Sequence, residues 1–391
     1  MKYELIMSRL LRFVLIGNYK LDKQESMARY ANSLQIGLSE AGIHAEIWYP
    51  VVFFARWSKS TITGLGKWLG YLDKWILFPL VLKFRILIFR IKHSDENIFF
   101  HVCDHSNAPY LAHLPLNRSG ITCHDVLAIR GALGFKDAYC PASPAGKVLQ
   151  KWILANLIKA KRLTAVSQFT LNQLYELASG ERNNQNGKKW RVIHNFYNAS
   201  FEPMDVEKRR KMLLNILPDT EFILHVGSSL PRKNRPLLIG MLKNIGDKWD
   251  GKVCFAGEKL DEELKNIIDG SGLKDRFFSV EKPEHDTLVA LYSSCLAFIF
   301  PSFSEGFGWP LIEAQACGAP VIASKIESLN EVSGGSALHA DPEKPAEFAN
   351  AFLQVLEKSF RDQLIRKGFD NCARFEKSRL IGEFIQLYTD R

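Results

Sequence analysis

Pro301 to Ser324 reads P-S-F-S-E-G-F-G-W-P-L-I-E-A-Q-A-C-G-A-P-V-I-A-S. Two carboxylates, Glu305 and Glu313, stand either side of a Gly-Phe-Gly turn that opens a short helix. Pro310 suits the first helical position, where the N–H it lacks would be unpaired anyway. Gly318 and Pro320 supply the stop, so the helix runs about two turns. Val321, Ile322 and Ala323 then restart the chain as a buried strand. Gly306, Phe307 and Gly308 are placed to turn backbone N–H groups toward an anion at the positive end of that helix. The plainer alternative has turn glycines, a solvated Glu305, and a Glu313 that the helix dipole favours by about 0.3–1 kcal/mol.

Working outward, short apolar runs ending in Gly, Ser, His or Asn alternate with helical patterns, the mark of parallel sheets wrapped by helices. The first half offers strands near Phe13–Gly17, Ala45–Tyr49, Ile98–Val102, Ile121–His124, Leu163–Ser167 and Val192–Asn195. The second repeats the scheme at Ile223–Gly227, Lys252–Gly257, Phe277–Val280, Ala297–Phe300, Val321–Ser324 and Ala337–Ala340. Helices fit between them at Glu25–Glu40, Ala145–Ala160, Pro236–Ile245 and Ala346–Lys358. Gly180–Lys189 reads as an exposed loop, and Tyr197–Met204 as the inter-domain connection. The class is α/β with two doubly wound, Rossmann-like sheets, each with its ligand edge at the carboxyl ends of its strands.

A chain of 391 residues suits two domains, and 47% hydrophobic residues can fill both cores. Seven scattered cysteines form no C-x-x-C pair, which argues for reduced thiols in an intracellular protein and against a disulfide framework or a zinc site. Met1–Ser8 is too short, and too acidic at Glu4, for a signal peptide, and no window is apolar enough to span a membrane.

The net charge of +9 is concentrated. Between Val52 and Lys92 stand eight basic residues against one acid, Asp73, so this stretch carries +7. It also holds Trp57, Trp68, Trp75 and five phenylalanines. Cations mixed with aromatic and aliphatic residues suit an anionic membrane surface better than nucleic acid. Lys83, Arg85 and Arg90 interrupt the apolar run Ile76–Ile91, so the segment suits lying on a bilayer, not crossing it. An ordinary helix with its lysines in water is the alternative.

The Pro301–Ser324 segment resembles the signature of family-4 glycosyltransferases, two glutamates separated by seven residues and followed by A-x-A-x-G-x-P-V-I. The resemblance runs from Arg12–Gly17 to about Pro345, with only short stretches specific. It implies the GT-B architecture, two Rossmann-like domains facing a central cleft. Residues 1–200 would be the acceptor-binding domain and 201–375 the nucleotide-sugar-binding domain, with 376–391 a helix crossing back to the first. Leu380, Ile381, Phe384, Ile385 and Tyr388 lie on one face of such a helix, about Glu376 to Tyr388.

Sugar transfer from a nucleotide diphosphate must stabilise the charge that grows on the leaving phosphate. No Asp-x-Asp occurs in the chain, so positive side chains and backbone amides are expected to take the role that a cation takes in metal-dependent transferases. Gly227–Pro236, G-S-S-L-P-R-K-N-R-P, resembles the family's phosphate-clamping loop and offers Arg232 and Lys233. Many relatives place an arginine directly after the strand glycine, where this chain has Ser228, so the clamp rests on those two cations. Asn234 or Arg235 reads as the helix-start residue. By the resemblance Glu313 accepts the ribose hydroxyls, Glu305 meets the donor sugar or its phosphate, and the base sits near Val280–Pro283.

In the first domain, Ile121–Val126 reads I-T-C-H-D-V. His124 resembles the family's cleft histidine that touches the donor sugar, and Asp125 is a weaker candidate. Asp104 and His105, in H-V-C-D-H-S-N at 101–107, are candidates for the acceptor side, with a structural role the competing reading. Ser26, where relatives carry glycine near the diphosphate, is a candidate helix N-cap and acceptor-side contact.

The resemblance implies a retaining, metal-independent transferase without cofactor. It would move a hexose of mannose or glucose type from a GDP- or UDP-sugar to a glycan or lipid-linked acceptor. The P-R-K-N loop, common among mannose-transferring relatives, tilts the donor toward GDP-mannose. Cell-surface polysaccharide synthesis on the inner face of the cytoplasmic membrane is the expected setting. A catalytically silent surface-binding module with the same fold is the competing reading. A nicotinamide-dependent oxidoreductase is disfavoured, because neither Gly17 nor Gly227 begins G-x-G-x-x-G, and Gly64-Leu65-Gly66 reads as a loop before the basic helix.

Overall fold

The computed structural model describes residues 11–58, 60–61, 63–178, 188–214, 216–217 and 220–390. These fall into two compact units. One comprises residues up to Gly134, Pro141–Asn198 and Lys377 onward; the other comprises Phe135–Cys140 and Ala199–Glu376. Phe135–Cys140, sited within 1–200 of the sequence, belongs to the second unit because Tyr139 stacks on Phe303 with ring centroids 4.7 Å apart.

The first unit holds a six-stranded sheet in the order β2-β1-β3-β4-β5-β6. Its strands are β1 Leu11–Ile16, β2 His44–Trp48, β3 Asn97–Val102, β4 Ser119–Cys123, β5 Arg162–Ala165 and β6 Lys189–Val192. The second unit repeats the plan in the order β12-β11-β10-β7-β8-β9. Its strands are β7 Phe222–Gly227, β8 Lys252–Gly257, β9 Phe277–Glu281, β10 Ala297–Phe300, β11 Val321–Ser324 and β12 Leu338–Ala340. Neighbours pair in parallel throughout. Helices cover both faces, so central strands such as Ala-Phe-Ile-Phe of β10 are buried at every position. Strand order reverses between β1 and β3 and again between β7 and β10. At such switch points the loops leaving the carboxyl ends diverge and open a crevice for ligand.

Three local expectations need correction. The strand expected at Val192–Asn195 is Lys189–Val192, an edge strand of sequence K-W-R-V whose residues are all half-buried. Gly180–Gly187 of the loop expected before it lies outside the described residues, as do Met1–Ser8. Gly64 does not sit in a loop but opens the helix Gly64–Leu72. Ser26 is no N-cap: the helix Glu25–Glu40 is preceded by Gln24, and Ser26 lies exposed in its first turn.

Gly64–Leu72 continues through a π turn, Asp73–Leu77, into the helix Phe78–Lys92. Pro79 explains the wide turn. It has no N–H to donate and its ring crowds the carbonyl one turn back, and the widened backbone relieves both. Asp73 is fully buried and accepts from Tyr19 Oη (2.6 Å) and from the backbone N–H groups of Phe53, Phe54 and Ala55 (2.8–3.1 Å). Lys74 pairs with Asp22 at 2.7 Å. Both charges therefore serve the fold and not the surface. No helix among the described residues is long and apolar enough to cross a membrane.

The last helix, Lys377–Thr389, packs on the first unit, with Leu387 in the buried set and Ile385 only half-buried. Gly37 and Gly120 make room for it, since a Cβ would stand 2.6 Å from Ile381 at the one and 2.3 Å from Tyr388 Oη at the other. Tyr388 Oη meets His101 Nδ1 at 2.6 Å, and His101 Nε2 meets Thr122 Oγ1 at 2.7 Å. Burial lowers the His101 pKa to about 3. The unfolded imidazole takes its proton near 6.5. Stability from this group is therefore present above about 6.5 and lost as pH falls toward 3, because the unfolded chain binds the extra proton. Tyr388→Phe strips one partner from a buried ring and should cost about 1–3 kcal/mol in urea unfolding at pH 7.

Candidate active site

The crevice between β7 and β10 is set by two loops. After β7 the chain enters a 3-10 turn, Pro231–Lys233, and Asn234 then adopts left-handed φ of 51°. Asn234 donates Nδ2–H to the carbonyls of Pro301 (3.1 Å) and Pro342 (2.7 Å), while the N–H of Phe303 donates to the Arg232 carbonyl at 2.8 Å. These bonds bring the two loops together. Arg235 turns away to Asp261 at 2.6 Å, so of Asn234 and Arg235 neither joins the cation pair.

Lys233 Nζ lies 2.7 Å from Glu305 Oε1, and Arg232 Nη1 lies 2.9 Å from Oε2 and 3.1 Å from the Ser304 carbonyl. Glu305 and Lys233 are buried. Burial pushes the Glu305 carboxyl up, but the charges of Lys233 and Arg232 and the Lys233 hydrogen bond outweigh it and hold the pKa at about 2. Burial lowers Lys233, and Glu305 pulls it part of the way back. Two cations thus share one carboxylate at the mouth of the switch point.

Beyond Glu305 the chain turns through Gly306, Phe307 and Gly308 into the helix Trp309–Ala316, with Pro310 in its second position. Gly308 has φ of 96°, and a Cβ there would come within 2.6 Å of Leu329, so both conformation and space require glycine. Phe307 is buried edge-on against Phe375, which anchors the turn. Glu313, one turn into the helix, accepts from Tyr292 Oη at 3.1 Å. Val280 lies half-buried near the end of β9.

In the first unit His124 is buried just past β4. Its Nε2 donates to the Cys103 carbonyl at 2.9 Å and its ring meets Tyr30 edge-on at 4.6 Å. Burial lowers its pKa, so it is neutral near pH 7. Asp104 is also buried, accepting from Asn18 Nδ2 (2.6 Å) and from the N–H and Oγ of Ser106, and it caps the 3-10 helix His105–His113. His105 is buried with Nδ1 3.2 Å from Asp104. Asp125 accepts from the N–H of Leu127, the first residue of the helix Leu127–Leu133, at 3.0 Å. These three groups have clear structural work, and Ser26 lies exposed at the start of the helix Glu25–Glu40.

Two partners escaped the sequence reading. Tyr292 supports Glu313 from the helix His285–Ser294. His225, fully buried in β7, donates Nδ1–H to the Ile299 carbonyl at 3.1 Å, leaving Nε2 without a hydrogen-bond partner among the described residues. Nε2 opens onto Gly227, where a Cβ would lie 3.2 Å from it and 3.6 Å from Lys233 Cδ. A polar residue in the apolar run F-I-L-H-V-G was the available signal.

Among the described residues no cluster of His, Cys, Asp and Glu forms a metal site. Glu305→Ala leaves Lys233 buried beside Arg232 with no counter-charge, and should cost about 3–5 kcal/mol in urea unfolding. The wild-type carboxylate, depressed in the folded state, stabilises above about pH 4.5 and loses that contribution as pH falls toward 2. The variant should lack this component of the pH profile.

Residues 208–370 match the family described as Glycosyl transferases group 1. The chain is 26% identical over 303 residues to the O-antigen chain mannosyltransferase RfbU of Salmonella typhimurium, covering 76% of each. It is 36% identical over 172 residues to O-antigen chain mannosyltransferase B of Escherichia coli, covering 43% of this chain and 45% of that one. Among solved structures, sucrose-phosphate synthase from Thermosynechococcus elongatus aligns over 97% of this chain and 98% of its own, with TM-score 0.72 and 20% identity. HepE of Anabaena, in complex with UDP and glucose, aligns over 97% and 99% with TM-score 0.69 and 15% identity. The two doubly wound sheets are those of the GT-B fold.

Proposed function

We propose that the chain is a glycosyltransferase of group 1 that moves a hexose, mannose in preference to glucose, from a GDP- or UDP-sugar to a glycan or lipid-linked acceptor at a membrane surface. The observation that carries the proposal is the Arg232–Lys233–Glu305 cluster at the switch point of the second unit. A diphosphate is the ligand that such a cation pair suits. The names of the mannosyltransferase relatives, with their O-antigen chains, favour mannose and a cell-surface polysaccharide.

In this reading Arg232 and Lys233 hold the diphosphate and take up the charge that grows as the glycosidic bond breaks. The N–H groups of Gly306, Phe307 and Gly308 add the positive end of their helix. Glu305 keeps the two cations in register and meets the donor sugar, while Glu313, braced by Tyr292, accepts the ribose hydroxyls. The base lies by Val280. His124 serves the donor sugar. Reaction proceeds with retention and without metal, the departing phosphate receiving the acceptor proton. Ser26, Asp104, His105 and Asp125 remain the acceptor-side candidates, the last three acting through the shape they hold.

The membrane part rests on the helix described above. Leu65, Trp68, Leu72, Ile76, Leu80, Phe84, Leu87 and Ile91 recur every three or four residues and are all exposed, 74% at Leu65 and 71% at Ile91. Such a stripe on an otherwise packed helix suits the plane of a bilayer, and Lys83, Arg90 and Lys92 suit its anionic headgroups. The second reading, a silent binding module, has no observation in its favour.

Screening sugar nucleotides for donor hydrolysis should single out GDP-mannose; turnover of a UDP-sugar alone would overturn that preference. Lys233→Ala should lower kcat about 10- to 150-fold, the loss of one charge-assisted hydrogen bond. Near-normal transfer by the folded variant would sink the clamp assignment. Transfer should survive EDTA. Sedimentation with anionic but not neutral vesicles is expected, weakened by salt and abolished in Leu80→Asp/Phe84→Asp.

A further inference from the structure

We propose that a recess beside the C-terminal half of the long helix is a binding site for the phosphate of an anionic lipid headgroup. It rests on the membrane reading above and adds a discrete site to it. The recess has a volume of about 620 Å³ and is lined by Lys83, Leu87, Arg90 and Ile91 of the helix, by Glu96, and by Arg118 on the approach to β4.

Its charge is unbalanced. Glu96, the acid of the lining, is bound to Arg12 Nε at 2.5 Å and to His93 at 2.9 Å. Lys83, Arg90 and Arg118 are exposed and make no ion pair among the described residues. Three cations around one concavity suit a phosphate, whose oxygens accept several charge-assisted hydrogen bonds at once.

Its shape matches an amphiphile. The buried part of the lining is apolar, with Ile86, Ile98 and Phe100, the exposed cations stand at its edge, and Leu87 and Ile91 line the recess and also belong to the exposed stripe with Leu80 and Phe84. A phosphate seated on Arg118 would leave its acyl chains along that stripe. The recess lies at the amino ends of β3 and β4, whereas His124 and the Asn18–Asp104 network lie at the carboxyl ends, so it is no part of the transfer site. Arg118 gives a clean test because it is off the helix and its guanidinium stands 6.0 Å from the centre of the Phe99 ring.

The experiment compares Arg118→Gln with Lys147→Gln, which removes the same charge from an exposed position of the helix Pro144–Leu157, outside both the recess and the long helix. Dihexanoyl phosphatidic acid, below its micelle concentration, is titrated calorimetrically into the full chain, with inorganic phosphate as a parallel probe. Saturable one-to-one binding is expected, weakened about ten-fold or more in Arg118→Gln and unchanged in Lys147→Gln. Absence of binding, or equal loss in both variants, overturns the site. Equal affinity for inorganic phosphate overturns the lipid assignment. Vesicle sedimentation separates the two readings. Vesicles that bind wild type and both variants alike remove the recess and leave the membrane reading standing. Failure of wild type on vesicles, with short-chain binding intact, removes the membrane reading and leaves the recess.

Discussion

Two cations are brought together at the end of β7 by a chain that turns sharply at Asn234, and one of them, Lys233, is buried. That cannot stand without a counter-charge, and the loop after β10 supplies it as Glu305. The requirement reaches far beyond three side chains. It sets how the two loops approach, which the Asn234 bonds to Pro301 and Pro342 then lock, and so where the Gly306–Gly308 turn begins and which way its helix starts. A buried pair of this kind adds little net stability against a hydrophobic replacement, while losing one member is expensive. Its presence at a switch point is better understood as chemistry held in place by the fold. The cluster of Arg232, Lys233 and Glu305 keeps one positive charge in excess, held in a fixed orientation at the switch point.

The corresponding crevice of the first unit, between β1 and β3, is filled differently. Asn18 donates to Asp104 and to Gln24 and accepts from Asn107, so the two loops are joined by hydrogen bonds among their own side chains. Asp104 is thereby satisfied several times over. The same topology thus offers a charged seat in one unit and a self-paired one in the other, and the difference lies wholly in which residues leave the strand ends.

Much of this was legible locally. Lys252–Gly257, Ala297–Phe300, Val321–Ser324 and Glu25–Glu40 stand where their apolar runs, caps and breakers place them, because each is buried through one face or two and ends at a Gly, Pro or polar residue. The edge strand K-W-R-V was misplaced because half-burial removes the apolar run, and what defines it is pairing to β5. Ser26 was misjudged because helix starts are chosen by tertiary context as well as by cap chemistry. Among candidate site residues, Arg232, Lys233 and Glu305 were visible as charged residues in the loops after strands, and Glu313 in the helix that follows. Their pairing was not, since Lys233 and Glu305 are 72 residues apart. The same holds for His101 and Tyr388, joined across 287 residues. Local pattern marks where a group sits along an element; only packing decides what it faces.

The long helix poses the reverse question, of apolar residues that packing leaves outside. Its inner face is complete with Phe78, Leu82 and Ile86 in the core, so the outer stripe is not surplus core that failed to find cover. Nor is it loosely held. Asp73 is buried at full desolvation cost, and its carboxylate gathers three successive backbone amides and a tyrosine hydroxyl. Those bonds fix the segment carrying Phe53, Phe54 and Trp57, all exposed, against the π turn. In the membrane reading proposed above, that buried charge would order the aromatic side chains in advance and so lower the entropy lost when they dock.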